Sequence, residues 1–474
     1  MNKICQKLIV LLILLLLTSC SIFSNNEQES NQKEQPKKDP PIARYEGEMS
    51  PVIPYVYTTK KELTITFNGL GDKERIEQIL DELDKYNIKA TFFVPGIRTA
   101  EEPDVVREII KRGHEIGNNT LNQVELNNLP YEEMYKEIKI ANEVIEEKTG
   151  VKPRYVRTKS GDYNDEVRLA AAHAGLEGVV YYSVNPQDWD MKSAEEIAEY
   201  VSRFITRGGI ITLNTDKNPE VVKAIPLIAK AVERVGYQFV SLHELVSHGG
   251  VRKPLEEIAG YDAAQYNKNI QDVEYEIIEK MDTNKKEIAL TFDDWGTDYK
   301  MTQILDILDK YGVKATFFLR MNGVESNPNL ARAIVDEGHE VANHTYSHPV
   351  ITKLSLEELQ EELVKAHQVL TEAIQEQPPM IFRPPTGEID ERTAKIVAAT
   401  GYKSIILYDV TTFDWDSNVS AEQIISKILE ETENGSIILL HLQEDIHTAE
   451  ALPTVIEKLQ AKGYKFVKIT DWLK

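Results

Sequence analysis

Short apolar runs alternate with helical patterns along most of this chain. In its second half, residues 288–292 form an apolar run that predicts a buried strand. Residues 315–319, rich in β-branched and aromatic side chains, predict a second strand. Between them, apolar residues recur at the spacing of a helix, at Met301, Ile304, Leu305 and Leu308. Further apolar runs predict strands at residues 404–408, 436–440 and 465–469. This alternation predicts an α/β fold with a parallel sheet and outer helices, either open or closed into a barrel.

The same pattern occurs twice, displaced by about 225 residues. Residues 60–67 match residues 285–292, and residues 88–93 match residues 313–318. Further matches follow in the same order, with almost no gaps. We therefore predict two tandem copies of one fold, at residues 44–247 and 285–474. Residues 248–284 would form a connector that belongs to neither copy.

The N-terminus has the features of an export signal. Two lysines, Lys3 and Lys7, precede an apolar run at residues 8–17. This run is far shorter than the roughly 20 residues that span a bilayer. Residues 17–20, with the sequence LTSC, resemble the lipobox of bacterial lipoproteins. That resemblance implies a signal peptide at residues 1–19, a lipid on Cys20 and a flexible tether at residues 20–43. The alternative is an ordinary cleaved secretory signal. We expect the protein on the extracytoplasmic face of the bacterial cell membrane, anchored by its lipid.

Composition narrows the possible partners. Hydrophobic residues make up 42% of the chain and charged residues 28%, as in soluble globular proteins. The net charge is −23, so the chain has no overall basic field, and we expect no nucleic acid partner. Its two cysteines, Cys5 and Cys20, both lie near the N-terminus. If the signal peptide is removed and Cys20 is acylated, the mature protein has no disulfide.

Five polar segments follow predicted strands or apolar segments of the second copy: Asp293-Asp294, His344 with His348, Arg383-Pro384-Pro385-Thr386-Gly387, Asp414-Trp415 and His441. The carboxyl ends of parallel strands meet at one face of a sheet or barrel, where reactive groups collect. The spacing of the two histidines predicts that both lie on one side of a helical turn and bind a divalent metal ion. Each segment alone is more often structural, as a turn, a cap or a rigid bend. Their combination in this order predicts an active site.

These segments, from Thr291-Phe292-Asp293-Asp294 to Leu439-Leu440-His441, resemble the five motifs of the polysaccharide deacetylases, the NodB-homology group of carbohydrate esterase family 4. The resemblance covers the whole second copy and implies two tandem distorted (β/α) barrels, the first one degenerate. It also implies a metal site of Asp294, His344 and His348. The expected cofactor is one divalent ion, with zinc favoured over cobalt or another metal.

The same resemblance implies the roles of the remaining groups. Asp293 would be the general base, oriented by Arg383, and His441 would be the general acid, held by Asp414. The implied substrate contacts are Thr386, Trp415 and Leu439. Three departures from the family pattern, at Trp295, Thr386 and Leu442, remove no catalytic atom but change the walls of the groove.

These residues support a metal-dependent hydrolase that releases acetate from N-acetylated sugars of peptidoglycan or of another cell-surface polysaccharide. The metal would activate water and polarise the carbonyl, while an imidazole protonates the departing amine. Two alternatives stay open: an O-acetyl esterase of the same chemistry, and a surface glycan-binding lipoprotein without turnover.

The first copy lacks the whole catalytic set. Its aligned positions hold Asn68, Gly69, Asn119, Gln123 and Asn214, which are poor metal ligands or none. We therefore predict that residues 44–247 are catalytically inactive. Arg157 and Asp188-Trp189 persist, which indicates a partly structural role for Arg383 and Asp414. His114 and His339 occur in both copies, so we interpret His339 as a core residue. The first copy would hold the polymer, act as a spacer or support the second barrel.

Overall fold

Each copy of the repeat forms a parallel β-sheet surrounded by helices in this computed structural model, which describes residues 42–473. The first sheet has the strand order β1-β6-β5-β4-β3-β2-β7, and β8 pairs with β2. Its strands are Val52–Ile53 (β1), Glu62–Asn68 (β2), Thr91–Val94 (β3), Glu115–Asn118 (β4), Tyr155–Val156 (β5), Gly178–Val180 (β6), Gly209–Asn214 (β7) and Gln238–Phe239 (β8). The predicted signal peptide, Cys20 and residues 20–41 of the tether lie outside the described residues.

The second sheet repeats this arrangement with the order β15-β16-β10-β11-β12-β13-β14-β9, and β17 pairs with β10. Its strands are Glu276–Ile278 (β9), Glu287–Asp294 (β10), Thr316–Leu319 (β11), Glu340–Asn343 (β12), Ile381–Phe382 (β13), Ser404–Ile406 (β14), Val410–Thr411 (β15), Ile437–His441 (β16) and Lys465–Val467 (β17). All strands predicted from the second copy are present. The central ones are buried along most of their length because helices cover the outer face of a parallel sheet.

Helices cover both sheets. Those of the first copy are Lys73–Lys85 (α1), Gly96–Glu101 (α2), Pro103–Lys111 (α3), Tyr131–Thr149 (α4), Asp165–His173 (α5), Ala194–Phe204 (α6), Glu220–Arg234 (α7) and Leu242–Ser247 (α8). Those of the second are Asp298–Lys310 (α9), Met321–Ser326 (α10), Pro328–Asp336 (α11), Leu356–Ile374 (α12), Glu391–Ala399 (α13), Ala421–Glu431 (α14), Thr448–Ala461 (α15) and Ile469–Trp472 (α16). No helix within residues 42–473 combines the length and the apolar character that crossing a membrane requires.

The last part of the predicted connector belongs to the second sheet. Strand β9 lies within residues 248–284 and pairs in parallel with β14, with Glu276 opposite Ser404. Strand β1 pairs with β6 in the same way in the first copy. The structural repeat therefore starts before residue 285. The sequence pattern missed β9 because it has three residues and an exposed apolar side chain, Ile277, which is 41% exposed.

The two barrels belong to one compact unit, Arg44–Lys474. Part of their contact joins the N-terminal ends of strands in the first sheet to the N-terminal ends of α9 and α11 in the second copy. Arg207, just before β7, pairs with Asp298, the first residue of α9, at 2.7 Å. The first copy therefore lies against the helix that directly follows the Asp293-Asp294 pair.

Candidate active site

A cavity of about 360 Å³ lies at the carboxyl ends of the strands of the second sheet. Residues from all five predicted segments line it: Asp293, Asp294, His344, His348, Thr386, Gly387, Trp415, Leu439 and His441. Tyr408 and Gln443 complete the lining. Arg383 and Asp414 are fully buried and contact the lining residues from behind. The structure thus brings every predicted residue of the second copy into one site.

Asp294, His344 and His348 form a cluster suited to a divalent metal ion, with their ligand atoms all within 4.8 Å of one another. His344 Nδ1 lies 2.7 Å from the carbonyl oxygen of Arg383. Because a carbonyl only accepts hydrogen bonds, Nδ1 has the proton and Nε2 keeps a free lone pair. Burial lowers the pKa of His344 to about 3, although Asp294 opposes this shift, so the ring is neutral near pH 7. Two imidazoles and a carboxylate fit zinc and similar ions.

The segment that holds both histidines is an irregular loop, so the predicted helical turn is wrong. Thr345 and His348 have φ values of 67° and 66°, in the left-handed region. Asn343 Oδ1 accepts a hydrogen bond from the Thr345 N–H at 2.9 Å. Glu362, on α12, accepts bonds from the N–H groups of Tyr346 and Ser347. The bonds to Glu362, 16 and 15 positions away, hold the loop in a conformation that its own sequence does not predict.

Asp293 and Arg383 form a buried ion pair beside the cluster. Arg383 Nη1 donates to Asp293 Oδ1 at 2.6 Å, and the two residues are 0% and 4% exposed, in that order. The guanidinium also donates to Thr291 Oγ1 and to two backbone carbonyls. Burial raises the pKa of Asp293, and the charge of Arg383 offsets part of that rise. The carboxylate is therefore fixed in direction and has a pKa above its usual range, as a general base requires.

His441 and Asp414 form a second pair across the cavity. His441 Nδ1 lies 2.8 Å from Asp414 Oδ1, while Asp414 Oδ2 accepts bonds from the His441 N–H and from Thr448 Oγ1. Burial lowers the pKa of His441, but the hydrogen bond and charge of Asp414 outweigh it and raise the pKa above 6.5. The Trp415 ring packs on the imidazole in a T-shaped arrangement, with ring centroids 5.0 Å apart. The ring is thus held ready to donate a proton.

The family model for polysaccharide deacetylase matches residues 56–179 and 280–405, together more than half of the chain. The chain belongs to the polysaccharide deacetylase family. This result confirms the predicted family, the two tandem barrels and the class of enzyme, a deacetylase.

Similar members of the family include named peptidoglycan enzymes. A peptidoglycan-N-acetylglucosamine deacetylase of Bacillus cereus is 40% identical over 190 residues, which is 39% of this chain and 68% of the relative. A peptidoglycan-N-acetylmuramic acid deacetylase of Bacillus subtilis is 33% identical over 195 residues, covering 41% of this chain and 40% of the relative. The crystal structure of a peptidoglycan N-acetylglucosamine deacetylase in complex with a substituted N-oxidanyl-benzamide is also similar. Its sequence is 36% identical, and the match covers 42% of this chain and 92% of the crystallised chain, with a TM-score of 0.40.

Sequence reasoning missed two lining residues of this deacetylase site. Gln443 Nε2 donates to Asp294 Oδ2 at 2.5 Å and holds the second oxygen of the proposed ligand. Tyr408 lines the cavity beside Gly387, where an added Cβ would lie 2.8 Å from the tyrosine hydroxyl. Gln443 lies two residues after His441, and Tyr408 lies at the end of a predicted strand. The sequence thus offered one signal for these two residues, their position at or just after the end of a predicted strand.

The corresponding positions of the first copy form a closed hydrogen-bond network. Asn119 Nδ2 donates to the carbonyl of Arg157 at 2.8 Å, as His344 does to that of Arg383. Gln123 Nε2 donates to Asn119 Oδ1 at 2.6 Å, and Asn214 Nδ2 donates to Asp188 Oδ1 at 2.7 Å. Asn119 and Asn214 thus make hydrogen bonds like those of His344 and His441 in the second copy. Their partners are an amide, a backbone carbonyl and a carboxylate of the same barrel, so these bonds stabilise the first barrel.

His339 and its counterpart His114 lie in the cores of their barrels. Each accepts a backbone N–H at Nδ1, from Ala315 at 3.1 Å and from Ala90 at 3.2 Å, respectively. They are 3% and 5% exposed. The structure therefore agrees with the interpretation of His339 as a core residue rather than a metal ligand.

Proposed function

We propose that the second copy removes N-acetyl groups from the amino sugars of peptidoglycan, with a divalent metal ion at Asp294, His344 and His348. The observation that supports this most is that the metal-type cluster lies in one cavity between the Asp293–Arg383 pair and the His441–Asp414 pair. Within residues 42–473 this is also the one group of His, Cys, Asp and Glu side chains close enough to hold a metal. The names of the similar peptidoglycan deacetylases support the substrate class.

Hydrolysis of an acetamide is slow because its carbonyl is a poor electrophile and its amine is a poor leaving group. When bound, a divalent ion would supply a Lewis acid at the open side of the three ligands. In this proposal Asp293 accepts the proton of the attacking water, and Arg383 keeps its carboxylate in place. His441 then donates a proton to the departing amine nitrogen, and Asp414 stabilises the imidazolium before that transfer.

The rim of the cavity supports a sugar substrate. Trp415 is 44% exposed and Phe413 is 51% exposed, with ring centroids 5.1 Å apart. Exposed aromatic rings offer flat apolar faces of the kind that pack against sugar rings, beside polar groups that bind hydroxyls. Thr386, Trp415 and Leu439 are accordingly proposed as substrate contacts, and the backbone N–H of Thr386 as a donor to the oxyanion.

In this proposal the enzyme is anchored to the extracytoplasmic face of the bacterial cell membrane through Cys20. The lipobox-like sequence at residues 17–20 supports this, and so does a substrate that lies outside the membrane. Membrane fractionation of the wild type and of Cys20→Ser tests it. The variant should leave the membrane fraction, and a variant that stays bound to membranes would contradict the anchor.

Acetate release by the full chain tests the reaction. The substrates are purified peptidoglycan, chitooligosaccharides and an O-acetylated sugar, each with and without a metal chelator. We expect release from the amide substrates that stops with the chelator and returns on addition of Zn²⁺ or Co²⁺. Release from the ester alone would support an O-acetyl esterase. Binding to peptidoglycan without release would support a glycan-binding protein.

A further inference from the structure

Helix α9 is separated by three residues from the Asp293-Asp294 pair and has contacts on two sides. One face packs in the core of its own barrel, with Met301, Ile304, Leu305 and Leu308. The other face meets the first copy. Tyr299 packs against the core of the first barrel, and Asp306 pairs with Lys61 at 2.8 Å. The first copy therefore contacts the element that begins just after the proposed metal ligand Asp294.

Asp298, the first residue of α9, is the centre of this contact. Its side chain and that of Arg207 are each 1% exposed. The first copy donates three hydrogen bonds to the carboxylate: from Arg207 Nη1 at 2.7 Å, from the Arg207 N–H at 3.3 Å and from the Tyr237 hydroxyl. The second copy donates two more, from Thr302 Oγ1 at 2.9 Å and Asn327 Nδ2 at 3.2 Å. Five donors on one buried carboxylate define both its position and its orientation.

Arg207 is itself held rigidly. Its Nε donates to the Thr59 carbonyl at 3.1 Å, and its own carbonyl accepts a bond from Asn329 Nδ2 at 2.7 Å. Asn329, on α11, also donates to the Val56 carbonyl at 2.8 Å. The next residue, Gly208, has a φ of +67°, and a Cβ there would lie 1.8 Å from the Val56 oxygen. Only glycine fits this turn, which lets the Arg207 segment pass close to the Val56 carbonyl.

The contact is specific to this pair of barrels and is not a property of the repeat. The counterpart of Asp298 in the first copy is Lys73, whose side chain is 75% exposed. The counterpart of Arg207 in the second copy is Asn434, which is partly exposed. Arg207 and Asp298 therefore have complementary charges, whereas their counterparts Asn434 and Lys73 do not.

Asp294 needs support on both sides because its φ is 80°, in the left-handed region that side chains rarely adopt. Strand β10 holds its N-terminal side. On its C-terminal side, a three-residue turn leads to α9, and within that turn the Thr297 N–H donates to Glu444 Oε1 at 3.1 Å. The first copy has Gly69 at this position with a φ of +78°, where glycine needs no such support.

We propose that Arg207 of the first copy is a positioning residue for the reaction of the second copy. By fixing Asp298 it fixes the start of α9, and so the direction in which Asp294 presents its carboxylate to a metal ion. The first copy thereby completes the active site of its neighbour without chemistry of its own. This inference rests on the proposed function, in which Asp294 is a metal ligand.

Zn²⁺ titration of the full chain, purified without metal, tests the proposal with Arg207→Met. We expect the Zn²⁺ affinity to fall by about 10–100-fold, as for other partners that orient metal ligands. With Zn²⁺ saturating, kcat on chitooligosaccharides should fall while KM stays unchanged, because Tyr408 and Trp415 are not linked to α9 by these bonds. Arg252→Met is the matched control. Arg252 donates to Tyr55 and Glu372, away from α9, so its variant should keep the wild-type Zn²⁺ affinity.

The double variant Arg207→Met/Asp298→Leu separates positioning from simple stabilisation. It removes both buried charges, so its Tm should recover relative to the single variant, even if Arg207→Met alone fails to fold. It also lacks the directional hydrogen bonds, so its Zn²⁺ affinity should stay low. Recovery of both Tm and Zn²⁺ affinity would overturn the proposal, as would wild-type affinity in folded Arg207→Met. A wild-type chain that binds no Zn²⁺ would instead refute the proposed metal site, and this inference with it.

Discussion

His339 should make the stability of the second barrel depend on pH, although it lies outside the active site. Burial lowers the pKa of His339 to about 3, from 6.5 when exposed. Below pH 6.5 the unfolded chain therefore binds a proton that the folded chain excludes, and stability is lost as the pH falls from 6.5 toward 3. At pH 5, which is 1.5 units below the exposed value, the loss is about 2 kcal/mol at about 1.36 kcal/mol per unit.

Urea unfolding at pH 7 and pH 5 tests this with His339→Asn. The amide oxygen of asparagine can still accept the Ala315 N–H, but the side chain no longer titrates. Between the two pH values the wild type should lose about 2 kcal/mol more unfolding free energy than the variant. Phe317→Leu is the control, because it weakens the packing on His339, whose ring lies 5.5 Å away, and leaves the titration in place. An equal pH dependence in His339→Asn and the wild type would refute the reasoning.

Three further predictions concern the site and the first copy. The full chain should bind about one divalent ion, measured by elemental analysis, and His344→Ala or His348→Ala should lose both the ion and acetate release. Asp293→Asn should keep the ion but lower kcat by roughly 10²–10⁴-fold, and His441→Ala should reduce turnover of amides more than of activated esters. Loss of the ion in Asp293→Asn would contradict the role of Asp293 as the base. Equal losses on amides and esters in His441→Ala would contradict the role of His441 as the acid. Deletion of residues 44–247 should lower the Tm and the activity on oligomers and polymer alike, whereas a loss on polymer alone would indicate glycan binding by the first copy.

The fold was largely predictable because its main strands are buried on both faces. An unbroken apolar run such as residues 288–292, followed by a helical pattern, is typical of a central strand in a parallel sheet. The prediction of each strand or helix in one copy was then supported by the same pattern in the other copy. The edge strands were harder to predict. Strand β9 has three residues, and Ile277 is exposed, so neither its length nor its apolar pattern distinguishes it from a loop.

The membership of the site was also predictable, but its local geometry was not. Parallel strands place the residues that follow them at one face, so Asp294, His344 and His441 had to be neighbours once the fold was known. The conformation of residues 344–348 depends instead on hydrogen bonds that the side-chain oxygens of Asn343 and Glu362 accept. The bonds to Glu362 form only when α12 packs beside the loop, and the helical spacing of the histidines gave the wrong prediction.

The sequence by itself thus determined the repeat, the main barrel strands and the residues that can do the chemistry, since each follows from local patterns of apolar and polar positions. The tertiary structure alone decided how the two copies depend on each other. Arg207 and Asp298 are 91 positions apart, and each is an ordinary charged residue in its own segment. Their pairing results from the packing of one barrel end against the other, because hydrogen-bond directions between distant segments are set only when both backbones are in place.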